Sequence, residues 1–417
     1  MIKLNYYGIF FFVVILIFFS CERESHEPES IIGRQVLFYM IADNNLDYFA
    51  VNDINEMEQG FAESDTSNCE VLVFIDRGTN GKPSHPYLMK IVPDTTALIK
   101  SEILKVYPET NSANSQNLQR VLSDMESLTE KHYRSKGLVL WSHGNAWLPP
   151  ETSLYSDRDK IVDTTAVKKI KSFGLDEDFS TSDHKEMDIV EMADALSPYH
   201  FDYILFDACF MGTIEVAYQL KNVCDYMISS PTEVLSAGFP YNRIMPDLLS
   251  SNFDPIRVAR QKHEFYSGQK GILNSSSVSV VKTSKLDELA RFYKTELSTK
   301  MGNIDIGTED VAYNKYNLQQ FDRLKAEFLF DMYDFTEKVC KSEKQLSLLS
   351  QFKRIWNETI IYEAHTAFIF GTLPLKNCNG LSIYLAQDYE SRVNINEYYK
   401  KFKWYEDSRM DNVFSCL

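Results

Sequence analysis

The sequence predicts an α/β fold, a mostly parallel sheet flanked by helices on both faces, with a C-terminal α+β subdomain. Three observations carry that reading. Short, nearly continuous apolar runs recur at 35–42, 71–75, 137–141, 203–206 and 226–230, as expected of strands buried on both faces. Between several of them the apolar residues return every three or four positions, the spacing of helices with one buried face. After about residue 245 this alternation gives way to longer helical stretches with fewer strands. Strands alternating with helices belong to a parallel sheet, so residues 35–244 are read as the core and 245–417 as a subdomain packed on it.

The first strand, QVLFYMIA at 35–42, runs into Asp43-Asn44-Asn45, which is read as the start of a helix with Leu46, Phe49, Ala50, Ile54, Met57 and Phe61 on its buried face. Asp43 and Asp47 have the alternation of a calcium loop. An EF-hand, however, needs glycine where Tyr48 stands and glutamate where Ile54 stands. The run 71–75, ending at Asp76, completes βαβ. Turn-rich residues 78–83 and a hairpin strand at 87–92, stopped by Pro93, follow. Residues 115–133 read as a helix with Leu118, Val121, Leu122, Met125 and Leu128 on one face. The strand 137–141 then leads into Ser142-His143-Gly144.

From 145 to 186 the periodicity fades, and so long a stretch without pattern is either a functional loop or mobile. A helix at 187–196 and a strand at 203–206 come next, the strand ending in Asp207-Ala208-Cys209 with another helix after it. The strand 226–230 opens into Pro231-Thr232-Glu233 and a turn around Gly238-Phe239-Pro240. Beyond it the pattern places helices at 254–268, 285–300 and 323–341 and strands at 278–281 and 381–385.

Of the 417 residues 13% are aromatic, which excludes a disordered chain, and the formal net charge is −16. Without a local basic patch, that charge argues against a phosphate backbone as partner. Seven cysteines are too few for a disulfide scaffold, and the odd number leaves one thiol unpaired within the chain. Near the start, Lys3 precedes an eleven-residue apolar run from Ile9 to Phe19, closed by Ser20 and Cys21. That is a secretory core, shorter than the roughly 18 apolar residues of a spanning helix. The acidic stretch from Glu22 to Glu29 follows.

Ligands bind outside the carboxyl ends of parallel strands. His143 and Cys209 stand at two such ends. On neighbouring strands they would face one crevice, as a nucleophilic thiol and its base require. Imidazole and the N-terminus of the helix after Cys209 would both favour thiolate. Gly144 carries no side chain, so its N–H can approach a substrate and, with that of Cys209, form an oxyanion hole.

These residues resemble a known family. An apolar block ending in His-Gly (LVLWSHG, 138–144) and a second ending in Ala-Cys (YILFDAC, 203–209) are similar to caspase-like cysteine peptidases. Within that group YMIADNNL (39–46), FDACFM (206–211), SPTE (230–233), GFPY (238–241) and GLSIY (380–384) resemble the clostripain family. The resemblance spans roughly residues 35 to 405. It implies a caspase-like fold and an endopeptidase that cleaves after Arg or Lys through a Cys209–His143 dyad and an acyl-enzyme. Asp207 matches the acidic position tied to basic substrates. The resemblance also implies activation by cleavage between His and Cys, where Arg158, Lys160, Lys168, Lys169, Lys171 and Lys185 offer sites. No cofactor is required, although some members need calcium; no metal site is identified.

Ser20-Cys21 after the apolar run resembles a bacterial lipoprotein box, despite Phe18 and Phe19 where an aliphatic and a small residue are usual. It implies a signal peptide at 1–20, a lipid on Cys21, an acidic tether at 21–34 and a place in the bacterial cell envelope, anchored through lipid. An ordinary cleaved signal and an uncleaved anchor are the alternatives. For function the alternative is a silent caspase-like surface lipoprotein that binds protein or glycan. A thiol redox enzyme is disfavoured, since no Cys-x-x-Cys occurs. Cys69, Cys224, Cys340, Cys378 and Cys416 are read as packing or optional pairing residues. His132, Trp147 and Glu233 have rim positions that nothing distinguishes from packing.

Overall fold

The structure is a computed structural model that describes residues 31–64, 68–79, 82–83, 85–129, 133–149, 173–176, 186–301, 304, 316–322, 328–387, 392–414 and 417. Its strands are β1 (Ile31–Ala42), β2 (Cys69–Thr79), β3 (Lys82–Pro83), β4 (Tyr87–Lys90), β5 (Glu102–Val106), β6 (Tyr133–Trp141), β7 (Phe201–Asp207), β8 (Cys224–Ser229), β9 (Ser277–Lys282), β10 (Leu329–Asp331), β11 (Ile360–His365), β12 (Phe368–Ile369), β13 (Leu373–Pro374) and β14 (Ser382–Tyr384). The central sheet has the order β11-β9-β8-β7-β6-β1-β2-β4-β5, with β3 beside β2. Strands β2, β1, β6, β7 and β8 pair in parallel. Antiparallel strands close both edges, β4 and β5 on one side, β9 and β11 on the other.

Side chains alternate across a strand, and in the central strands both sets are apolar. Leu37, Tyr39, Ile41, Phe74, Leu138, Leu140, Ile204 and Phe206 belong to one buried cluster, Val36, Phe38, Met40, Val73, Val139, Trp141 and Leu205 to the other. Helices α1 (Asp47–Ala62), α5 (Tyr241–Leu248) and α6 (Pro255–Ser267) cover the second face. Helices α2 (Ser115–Ser127), α3 (Ile189–Leu196) and α4 (Ile214–Gln219) cover the first. Their ends are fixed by short polar side chains: Asn114 accepts from the N–H groups of Gln116 and Asn117, Asp188 from those of Val190 and Glu191, and Asp254 from that of Ile256.

The segment after residue 245 contributes β9 and β11 to this same sheet. Its apolar side chains, among them Phe292, Phe335, Phe352 and Trp404, share one cluster with the first face. The helix expected from Asp43 begins instead at Asp47, with Leu46 as its N-cap and no side-chain cap. Strand β5 and the pair formed by the helix Leu346–Thr359 and β11 were not foreseen. β5 is an exposed edge strand with charged residues at both faces, and β11 alternates too weakly to stand out from the helix before it.

Candidate active site

β6 and β7 lie in register, with Trp141 beside Asp207. His143 and Cys209, each two residues further on, therefore leave the sheet at the same level. The pairing continues past the strands, since the Ser142 N–H donates to the Asp207 carbonyl at 3.3 Å. Gly144 lies so close to the second strand end that a Cβ there would collide with the Cys209 carbonyl oxygen. The absence of a side chain at 144 is thus needed for packing the two ends together.

His143 is 7% exposed. Its carbonyl accepts from the Gly174 N–H at 3.0 Å, which lays the segment 173–176 against the histidine turn. Ser142 Oγ donates to the Ile41 carbonyl at 2.7 Å, tying the same turn to the end of β1. The ring Nε2 lies 2.7 Å from Asn45 Oδ1. Burial pushes the imidazole down to about 4, so the resting ring is neutral at pH 7.

Cys209 is half-buried. The Val234 N–H donates to Sγ at 3.2 Å, and Sγ is 3.7 Å from the Val234 carbonyl oxygen. That N–H favours thiolate. The sequence reading gave this task to the following helix. But α4 starts only at Ile214, capped by Thr213, and a turn separates it from the thiol. Phe210, next to Cys209, has φ +60°, and Ala146, three residues beyond His143, has φ +59°. Side chains rarely adopt this left-handed region, and strain of about 1–3 kcal/mol per residue is held in place by surrounding structure at functional sites. Here Phe210 is buried and its N–H donates to the Thr232 carbonyl at 2.9 Å.

Asp207 is 4% exposed. Its Oδ2 accepts from the Phe239 N–H at 2.9 Å and the Tyr241 hydroxyl at 2.8 Å, and a Cβ on Gly238, where φ is +57°, would collide with it. The expectation places this carboxylate at the base of a substrate pocket. In the structure it ties the turn at 238–241 to the strand end. Burial raises its pKa, while the Phe239 N–H, Lys262 and Tyr241 pull it back. Lys262 on α6 is 2% exposed, donates to the Ser277 carbonyl at 3.0 Å, and is lowered to about 8 by burial against the pull of Asp207 and Cys209. Asp53 on α1 accepts from Trp141 Nε1 at 2.8 Å and is raised by burial and by Asp207. The sequence reading missed Asn45, Val234 and Lys262.

Trp147 is buried against Tyr384, Tyr399 and Phe402, so it anchors the histidine turn to the C-terminal segment. Glu233 is buried too, and its carbonyl accepts from Thr232 Oγ1. Cys69 donates from Sγ to the Leu249 carbonyl at 3.4 Å, and burial pushes the thiols of Cys224 and Cys340 up to about 12 and about 11. Cys21, Cys416, His132 and the basic residues Arg158, Lys160, Lys168, Lys169, Lys171 and Lys185 lie outside the described residues. Among the described residues no group of three or more His, Cys, Asp or Glu is placed to hold a metal ion. The calcium-like stretch at 43–47 is committed elsewhere, with both Asp47 carboxylate oxygens accepting from Arg77 at 2.7 and 3.1 Å.

A profile described as the Clostripain family matches residues 38–415, nearly the whole chain. The chain belongs to the clostripain family. Clostripain of Hathewaya histolytica is 25% identical over 423 aligned residues, covering 84% of this chain and 74% of that protein. The inactive zymogen of a C11 protease from Parabacteroides distasonis is 29% identical with a TM-score of 0.69, covering 93% of this chain and 99% of the other. A secreted C11 cysteine protease from Bacteroides thetaiotaomicron, solved with an irreversible peptide inhibitor, is 26% identical with a TM-score of 0.71 over 91% of this chain and 99% of that one. The clostripain-family chain is therefore a cysteine peptidase with the caspase-like fold of its relatives.

Proposed function

We propose that this peptidase is an endopeptidase that cleaves after Arg or Lys, with Cys209 as nucleophile and His143 as acid–base partner. The observation that carries the reading is the emergence of His143 and Cys209 from in-register parallel neighbours, with Gly144 packed on the Cys209 carbonyl. The thiol proton passes to the imidazole as Sγ bonds to the scissile carbonyl carbon. The oxyanion that forms is met by the Gly144 and Cys209 N–H groups. As the C–N bond breaks, the imidazolium returns its proton to the leaving amine. Water, deprotonated by His143, then attacks the thioester and releases the acid and the thiol.

The preference for a basic side chain is supported by the acidic groups beneath this end of the sheet, Asp207 and Asp53, and by the net charge of −16. A guanidinium or ammonium nearby favours the ionised form of Asp207, opposing the burial that raises its pKa. Activation takes place by a nick between 145 and 190, and Cys21 carries the lipid that anchors the chain in a bacterial envelope.

The test uses the full chain with peptides bearing Arg, Lys or a neutral residue before the scissile bond. Cleavage after Arg and Lys that disappears in Cys209→Ala and in His143→Ala, together with a nick absent from Cys209→Ala, supports the reading. Cleavage that persists in Cys209→Ala overturns it. Labelling with a clickable fatty acid, lost in Cys21→Ala, tests the anchor separately.

A further inference from the structure

We propose that Asn45 is a positioning residue for His143, its side-chain oxygen holding the proton of the neutral ring on Nε2 and leaving Nδ1 as the nitrogen that exchanges protons with thiol and substrate. This rests on the peptidase reading above. A carboxamide oxygen only accepts hydrogen bonds, so at 2.7 Å from Nε2 it requires a hydrogen there. The same bond is available to the imidazolium, which carries a hydrogen on both nitrogens. Asn45 thus stays bonded through both protonation states, and it favours the charged one, which burial otherwise penalises.

The loop that bears Asn45 is built to present it. The neighbouring Asn44 donates from Nδ2 to the carbonyls of Ile41 at 3.1 Å and Leu175 at 2.7 Å and accepts at Oδ1 from the Leu46 N–H at 2.9 Å. Asn44 therefore supports the loop end, while α1 starts after it with Leu46 as a cap that uses no side chain. Asn45 caps nothing and is exposed, so shortening its side chain leaves the core intact. Ionisable groups on the adjoining segments are Asp43 in the same loop, Asp176 after the stretch that meets the His143 carbonyl, and Asp207 and Cys209 on the neighbouring strand end. Burial, rather than any of these charges, lowers the His143 ring.

The experiment records long-range proton–nitrogen spectra of the full chain labelled with 15N-histidine, assigned by His143→Ala, beside pH profiles of kcat/KM on Arg and Lys peptides. For the wild type we expect the Nε2–H tautomer, and for Asn45→Ala a mixture of tautomers. In Asn45→Ala kcat should fall about 10- to 100-fold with little change in KM, and the acid limb, where the neutral ring is lost to protonation, should move to lower pH. Asn45→Asp should recover part of the loss and move that limb to higher pH, with the melting temperature unchanged in both variants. A wild-type Nδ1–H tautomer, or an Asn45→Ala protein with the wild-type tautomer and pH profile, overturns the proposal. Should Cys209→Ala still cleave, the peptidase reading fails by itself, and the spectra still judge Asn45.

Discussion

The Val234 N–H donates to Cys209 Sγ at 3.2 Å, so the reactive sulfur rests on a backbone donor from the loop after β8 rather than on a helix end. The backbone donor at this partly exposed thiol contrasts with the setting of Cys224 and Cys340, which burial pushes up to about 12 and about 11. Iodoacetamide at pH 7, followed by peptide mass mapping, should modify Cys209 at least about tenfold faster than either of those two. Equal rates would remove the assigned activation.

Asp207 combines a charge with two accepted hydrogen bonds, and Asp207→Asn separates them. The amide oxygen still accepts from Phe239 and Tyr241, while the charge is gone. If the charge recognises basic substrates, kcat/KM for Arg peptides falls about tenfold or more and that for neutral peptides holds. A variant that cleaves both as the wild type does would leave Asp207 with the turn alone.

Trp147 fills the space between the histidine turn and the aromatic group of Tyr384, Tyr399 and Phe402. Trp147→Ala should cost about 3–5 kcal/mol in chemical denaturation. Because the lost contacts hold the turn that carries His143, kcat should also fall in the fraction that remains folded.

Asp76, buried beside Asp176, Glu109 and Asp43, is raised to about 8, chiefly by burial, although Ser112 Oγ donates to it. Between about pH 4 and 8 the folded chain holds a proton at Asp76 that the unfolded chain has released. This group therefore lowers stability as pH rises through that window, and its full cost is present above the folded pKa. His143, lowered to about 4, acts in the opposite direction, costing stability as pH falls from about 6.5 towards 4. Asp76→Asn should raise the melting temperature at pH 8.5 relative to the wild type and leave it nearly unchanged at pH 5. A gain of the same size at both pH values would contradict the assignment.

The sheet was legible because its central strands bury both faces, so runs such as 35–42 and 203–206 stand out as unbroken apolar segments. His143 and Cys209 were legible for the same reason, each being a reactive residue just past such a run. Edge strand β5 was not, since its Glu102 and Lys105 follow no alternation that marks a half-buried strand. Asn45 was hidden by its own neighbourhood: Asp43-Asn44-Asn45 reads as a helix start, and its bond to His143 joins residues 98 positions apart. Val234 acts through its backbone, which leaves no trace in residue type. The role of Asp207 in holding a turn depended on Gly238 and Tyr241 folding back over it, a tertiary contact that spacing does not encode.

The most direct test of the central claim is the intact and peptide mass of the full chain after treatment with an acyloxymethyl ketone peptide bearing Arg next to the warhead. One adduct per chain is expected, located on Cys209, formed faster than with a neutral residue in that place and absent from Cys209→Ala. An adduct on another cysteine, or continued cleavage of Arg peptides by a protein fully blocked at Cys209, would contradict it.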